Sequence, residues 1–224
     1  MTTLAEMYIT LMPVMLAGIL NMAWCKLPLA KFLAKPIDAG LTLWDGKRLF
    51  GDNKTWKGFL GMMALGCLGS LLWGWICTRS IYLLEHNYLY RSHEAGYVVY
   101  DALVGSWLGL AYAFAELPNS AVKRRFDIAP GKRLREPGDV AEGQSGPPAE
   151  GQSGDPPANF GRVVLSILFS ILDQADSVIG MVLALALLYP MGVVFILLYI
   201  CVGTVTHMIL NLLLYAARLR QNPL

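Results

Sequence analysis

Between Arg162 and Tyr189 the chain is apolar for long enough to cross a bilayer, yet its middle reads Asp173-Gln174-Ala175-Asp176-Ser177. Residues 163–172 and 178–188 each read as buried helix, so two carboxylates stand where a span is ordinarily greasiest. On the insertion scale a single Asp at a helix centre costs roughly 2.5–3.5 kcal/mol. The pair is therefore expected to line a protein cavity or a wet cleft rather than face lipid. Three residues apart on a helix, the two side chains project from one face within reach of a single cation. A metal site is the first expectation.

The remainder of the chain is equally restrictive. It has 224 residues, 55% of them hydrophobic and 15% charged, with a mean hydropathy of +0.48. That is too apolar for an ordinary soluble domain and fits one integral membrane domain over residues 1–224. Apolar stretches at 4–24, 59–77 and 97–117, the interrupted run, and a last stretch at 191–216 predict an all-α polytopic fold of about five transmembrane helices. The first stretch has no basic segment before it and reads as a span rather than a removable signal. Pro13 is expected to kink it, and Gly61, Gly66, Gly69 and Gly74 are expected to let the second helix approach its neighbours closely. Residues 79–96 read as a polar loop, and a long loop is expected to open at Pro118 and run to Arg162.

Charge sets the expected orientation. Every Lys and Arg except Arg79 and Arg91 falls in the 26–57 flank, the 118–162 loop or the C-terminal tail. The positive-inside rule then places the N-terminus out, the C-terminus in and both long basic loops in the cytoplasm. A net charge of +2 gives no argument for nucleic acid, and no nucleic-acid motif is present. Cys25, Cys67, Cys77 and Cys201 have no C-x-x-C spacing and read as inert thiols. Residues 137–159 contain a near-duplicated Glu-Gly-Gln-Ser-Gly unit with little to bury, and read as a disordered cytoplasmic insertion.

Two basic loop segments carry the rest of the expected chemistry. The first is Asp45-Gly-Lys-Arg-Leu-Phe-Gly-Asp-Asn-Lys-Thr-Trp-Lys-Gly58; the second begins Pro118-Asn-Ser-Ala-Val-Lys-Arg-Arg. Glycines permit close backbone approach, so anionic oxygens can meet amide donors and cationic side chains together. Either segment alone is also what a lipid-headgroup anchor looks like. Joined to an intramembrane acidic pair, they point to phosphoryl-type chemistry on a lipid. The alternative is a small transporter or channel that uses the Asp pair for cations, although no inverted repeat supports it. A noncatalytic assembly protein would leave the costly Asp pair without a purpose.

Ser120-Ala-Val-Lys123-Arg124 followed by Asp173-Gln-Ala-Asp176 resembles the S-x-x-K-R and D-x-x-D signature of the phosphatidate cytidylyltransferases, whose K-D and H-G-G elements are missing here. More closely, Asp45-Gly-Lys-Arg, Gly51-Asp-Asn-Lys-Thr-Trp-Lys-Gly, Pro118-Asn-Ser with Lys123-Arg124, and Leu172-Asp-Gln-Ala-Asp-Ser resemble the CDP-archaeol synthase family. The longer D-G-x-x-A-R pattern of the CDP-alcohol phosphotransferases is absent, since Lys47-Arg48 follows Asp45-Gly46.

The closer resemblance implies a cytidylyltransferase that moves CMP from CTP to a lipid phosphate, an isoprenoid diether glycerol phosphate or a relative of it, and releases pyrophosphate. It implies Mg²⁺ on Asp173 and Asp176, with Lys123 and Arg124 neutralising the leaving group. It also implies nucleotide or lipid-phosphate binding by Asp45, Lys47, Arg48, Asp52, Asn53, Lys54 and Lys57, and contacts to cytosine or ribose by Asn119, Ser120 and Asn53. The expected partners are CTP, a lipid phosphate and membrane lipids, with no nucleic acid and with homodimerisation left open. The expected location is the cell membrane, multi-pass, with the active site facing the cytoplasm. Among the other polar residues, His207, Asn211 and Asn21 read as interhelical hydrogen-bonding groups. Glu116, at the cytoplasmic end of the third expected span, is a candidate for a further carboxylate near the metal, the alternative being an ordinary polar residue at a helix end.

Overall fold

The computed structural model describes residues 4–87, 102–126, 128 and 160–216; within the last stretch, side chains are described at 164 and from 167 onward. Asp101, the 137–159 insertion and the C-terminal arginines lie outside the described residues. Among the described residues the fold is helical: α1 (Leu4–Lys26), α2 (Trp56–Cys77), the single-turn α3 (Ile81–Glu85), α4 (Ala102–Arg125), α5 (Phe160–Leu188) and α6 (Val193–Ala216). Leu4–Lys26, Trp56–Cys77, Ile167–Leu188 and Val193–Ala216 are long and apolar enough to cross a membrane. The remaining long helix, α4, packs between α2 and α5.

Side-chain contacts fix the directions of the helices. Trp73 Nε1 donates to the Ile9 carbonyl at 2.9 Å and Asn21 Nδ2 to the Gly58 carbonyl at 3.0 Å, so α1 and α2 run antiparallel. Trp107 Nε1 donates to the Ala184 carbonyl at 3.1 Å, while Asn119 Nδ2 reaches Asp176 at 2.9 Å, which sets α4 antiparallel to α5. Glycine sets the α2–α4 spacing. A Cβ on Gly66 would stand 2.5 Å from the Gly105 carbonyl oxygen, a separation that real Cβ atoms do not show. Met7, Leu11, Val14, Met62, Leu108, Val182, Leu185 and Tyr199 fill the interior. Leu68, Leu71, Leu72 and Trp75 of α2 and Val193, Val194, Leu197 and Leu198 of α6 are exposed. A bundle that buries its small and polar faces and displays leucine outward is built for lipid rather than water. This is a multi-pass membrane protein.

Two boundaries differ from the sequence-based expectation, at Pro118 and within 79–96, and the single span expected around Asp173 is met. The loop expected from Pro118 is helical to Arg125, because α4 continues through Pro118. Proline cannot donate its missing N–H, but a helix that keeps packing on both sides can carry that loss of about 3 kcal/mol. The run around Asp173 is one unbroken helix of 29 residues, about 43 Å long, so the Asp pair does not interrupt it. Within the expected 79–96 loop, Ser80 caps α3 by accepting from the Leu83 amide at 3.4 Å. The 27–55 segment has no long element; it holds a 3-10 turn at Lys31–Leu33 and two isolated bridges, Pro36 to Thr55 and Thr42 to Arg48.

Candidate active site

At the end of the bundle where α1 finishes and α2 begins lies a cavity of about 690 Å³. Asn53 and Lys54 enter it from the 27–55 segment, Glu116, Asn119, Ser120, Lys123 and Arg124 from α4, and Asp173 and Asp176 from α5. The continuation of α4 past Pro118 is what makes this possible. Asn119 and Lys123 are four apart and so share a face, one that is turned toward α5. Asn119 Nδ2 donates to Asp173 Oδ1 at 2.6 Å and to Asp176 Oδ2 at 2.9 Å, and Lys123 Nζ pairs with Asp173 Oδ2.

That arrangement bears directly on a metal. The two carboxylates converge on one point, now held by the Asn119 amide nitrogen, and Asn119 Oδ1 is buried without a partner. A half-turn of the amide would bring Oδ1 to the same point. Oxygen donors aimed at one position suit a hard divalent cation such as Mg²⁺, which keeps water or phosphate oxygens for its other ligands. Among the described residues no cluster of three or more His, Cys, Asp or Glu forms a complete cage, so such an ion would take the rest of its ligands from water and substrate. The residues present fit Mg²⁺.

Lys54 crosses the cavity to pair with Glu116. Burial disfavours the Lys54 ammonium, but the negative charge of Glu116, with smaller contributions from Asp176 and Asp173, outweighs it and raises the pKa. Lys54 is therefore a permanent cation beside the acidic pair. Arg124 adds a second positive charge: its side chain lines the cavity and its buried Nε has no partner.

The other residues expected at the site hold the loop in place, outside the cavity wall. Lys57 is buried, donates to the Cys25 and Leu27 carbonyls at 3.2 and 2.5 Å, and lies 5.2 Å from the centre of the Trp24 ring. It therefore closes the C-terminus of α1, whose last carbonyls lack helical partners. Arg48 is bound by Asp38 at 2.7 Å and by Asp52 at 3.0 Å. Both Asp45 carboxylate oxygens accept from Arg125 Nη1 at 2.6 Å, Oδ1 accepts also from the Lys47 amide at 3.0 Å, and Lys47 Nζ donates to the Arg125 carbonyl at 3.0 Å. These contacts fasten the 27–55 segment to the end of α4 and so hold Asn53 and Lys54 over the Asp pair.

Sequence reasoning missed Asp38 and Gln174. Asp38 is buried and accepts from Arg48 and from the amides of Gly40, Phe50 and Gly51. Burial would raise its pKa, but the Arg48 hydrogen bond and the three amides prevail and hold the carboxyl well below the usual range. Gln174, between the two aspartates, accepts from Asn211 Nδ2, and its carbonyl bonds His207 Nδ1 at 3.1 Å. The expected interhelical roles of His207 and Asn211 are thus met, as is that of Asn21 with Gly58. All four cysteines are free.

Comparison with known proteins places this geometry in context. Residues 10–136 match the family model described as CarS-like CDP-archaeol synthase. Against the CDP-archaeol synthase of Pyrococcus furiosus the chain is 34% identical over 96 residues, 43% of this chain and 48% of that protein. Against that of Thermococcus kodakarensis it is 53% identical over 97 residues, again 43% and 48%. The chain thus matches about half the length of these curated relatives. A solved intramembrane enzyme for the biosynthesis of archaeal membrane lipids shares the fold, with a TM-score of 0.52 and 21% identity over 93% of this chain and 94% of the other.

Proposed function

The chain belongs to the CDP-archaeol synthase family, and from that premise we propose that it transfers CMP from CTP to a lipid phosphate of the isoprenoid diether glycerol type, releasing pyrophosphate. The observation that carries the reading is one cavity holding a convergent carboxylate pair opposite Lys54, Lys123 and Arg124. The nucleophile, a lipid phosphate oxygen, is already anionic near neutral pH, so attack on the α-phosphorus of CTP needs no general base. Positioning and charge neutralisation are what the protein must supply.

Asp173 and Asp176 would hold Mg²⁺, which when bound neutralises phosphate oxygens. Lys123 and Arg124, at the C-terminal end of α4, neutralise the departing pyrophosphate. Lys54 takes phosphate on the opposite wall, held there by Glu116. Asn53 and Ser120 face the nucleotide, whereas Asn119 sets the spacing of the two carboxylates. Arg48, Lys47, Lys57, Asp45 and Asp52 act at a distance by fixing the loop. The five long helices span the cell membrane with the N-terminus out, the C-terminus in and the cavity on the cytoplasmic face. The one-sided distribution of Lys and Arg supports that orientation.

The test is direct. Purified protein is incubated with labelled CTP, Mg²⁺ and a panel of diether and diacyl lipid phosphates. The expected product is a labelled CDP-lipid, formed fastest from the diether substrate; no CDP-lipid from any lipid phosphate would overturn the reading.

A further inference from the structure

The cavity has a second, apolar end that the chemistry described above does not use. Met15, Ile19 and Met22 of α1 and Leu210 and Leu214 of α6 line it, continuous with the walls that carry Asp173 and Asp176. All five are partly buried, and beside them Leu16 and Leu20 of α1 and Ile209 and Leu213 of α6 are exposed. The apolar wall therefore runs outward onto the surface that faces lipid.

The path of the two helices explains the opening. α1 meets α6 in the half of α1 remote from the Asp pair: Leu11 Cδ1 lies 3.5 Å from where a Cβ on Gly203 would stand, and Thr206 Oγ1 donates to Tyr8 Oη at 3.1 Å. Beyond that crossing the cavity runs between them. The other seams are tied at the polar end, α1 to α2 through Asn21 and Gly58, α4 to α5 through Asn119, and α5 to α6 through Gln174 and Asn211.

We propose that the seam between α1 and α6 is the lateral doorway through which a lipid phosphate reaches the carboxylates, with Ile19 and Leu210 gripping its hydrocarbon tail. The proposal rests on the lipid-phosphate reading above and adds where the tail lies. A double-natured ligand is what this cavity fits: an anionic head against Lys54, Lys123 and Arg124, and a chain that leaves between two greasy helices without crossing water. CTP carries no hydrocarbon chain to lay between the two helices, so the seam governs the lipid substrate alone.

The experiment places p-benzoylphenylalanine at Ile19, at Leu210 or, as a lipid-facing control, at Leu71 of α2. The protein is held in phosphatidylcholine vesicles doped with a radiolabelled diether glycerol phosphate. On illumination, capture at Ile19 and Leu210 is expected to be saturable, competed by unlabelled lipid phosphate and not by additional phosphatidylcholine, whereas capture at Leu71 follows bulk lipid. Equal, non-saturable capture at all three positions overturns the doorway. In a second measurement, Leu210→Trp should raise the KM for lipid phosphate about tenfold and leave the KM for CTP unchanged, the pattern of lost substrate binding; an unchanged KM for lipid phosphate contradicts it. Photocapture needs no turnover. Saturable capture without CDP-lipid formation would remove the transferase reading and keep the doorway, and the converse result would remove the doorway alone.

Discussion

Replacing Asp38 by Asn isolates the contribution of the loop that carries Asn53 and Lys54. The Asp38 side chain is 0% exposed. Its Oδ2 accepts from the Phe50 and Gly51 amides at 2.9 and 3.0 Å, and its Oδ1 from Arg48 Nη2 at 2.7 Å and the Gly40 amide at 3.1 Å. An Asn amide has one oxygen, so either the two loop amides or the Arg48 and Gly40 pair would face an NH2 group. Two buried donors left unsatisfied cost about 2–6 kcal/mol at 1–3 each. Taking about 3 kcal/mol, the loop's opening constant rises roughly 150-fold.

Hydrogen exchange reads this directly: amides in residues 38–55 of Asp38→Asn should lose about two orders of magnitude of protection while those of α2 and α4 keep theirs. The pH response has a definite sign. Because the folded pKa is depressed, the Asp38 contribution is complete above the unfolded value of 3.8 and is lost as pH falls through the lower folded value. Wild-type loop protection should therefore fall as pH is lowered from 3.8 toward that folded value, and the variant should lack this dependence. Unchanged protection of residues 38–55 in Asp38→Asn would refute the reasoning.

Gly66→Ala should lower bundle stability by about 1–3 kcal/mol as α2 and α4 are forced apart, seen as a reduced melting temperature in detergent; an unchanged melting temperature would mean the helices are free to separate. Lys123→Met should reduce CDP-lipid formation with no recovery at high Mg²⁺, since it removes charge from the leaving group rather than from the metal; rescue by Mg²⁺ would reassign Lys123. In a background with Cys25, Cys67, Cys77 and Cys201 replaced by Ser, an impermeant thiol reagent applied to intact cells should label His86→Cys and spare Gln144→Cys; labelling of Gln144→Cys from outside would invert the topology.

What could be read from sequence follows from what sequence encodes locally. Apolar runs of span length encode helices, and the insertion penalty of Asp173 and Asp176 encodes a cavity, because no other environment accepts the pair. Lys123 was joined to the pair by the resemblance that the S-x-x-K-R motif carries, and the helix that delivers it was hidden by Pro118, a residue that ends most helices. Tertiary partners were not encoded. Lys54 and Lys57 are three residues apart and chemically identical, yet one faces the cavity and the other is consumed by the carbonyls at the end of α1. Asp38 lies outside both motif-bearing segments, 45–58 and 118–125, and only the folded loop brings Arg48 and three amides to it.

The account depends most on the acidic pair as the metal site. Asp→Asn keeps size and removes the negative charge that a hard cation requires. Initial rates of CDP-lipid formation are measured against Mg²⁺ concentration for the parent, Asp173→Asn and Asp176→Asn, each shown to be folded and membrane-inserted. The account predicts that each variant loses activity by at least about 100-fold, or roughly 2.7 kcal/mol of barrier, with partial recovery at high Mg²⁺. Near-parental turnover in both folded variants would contradict it.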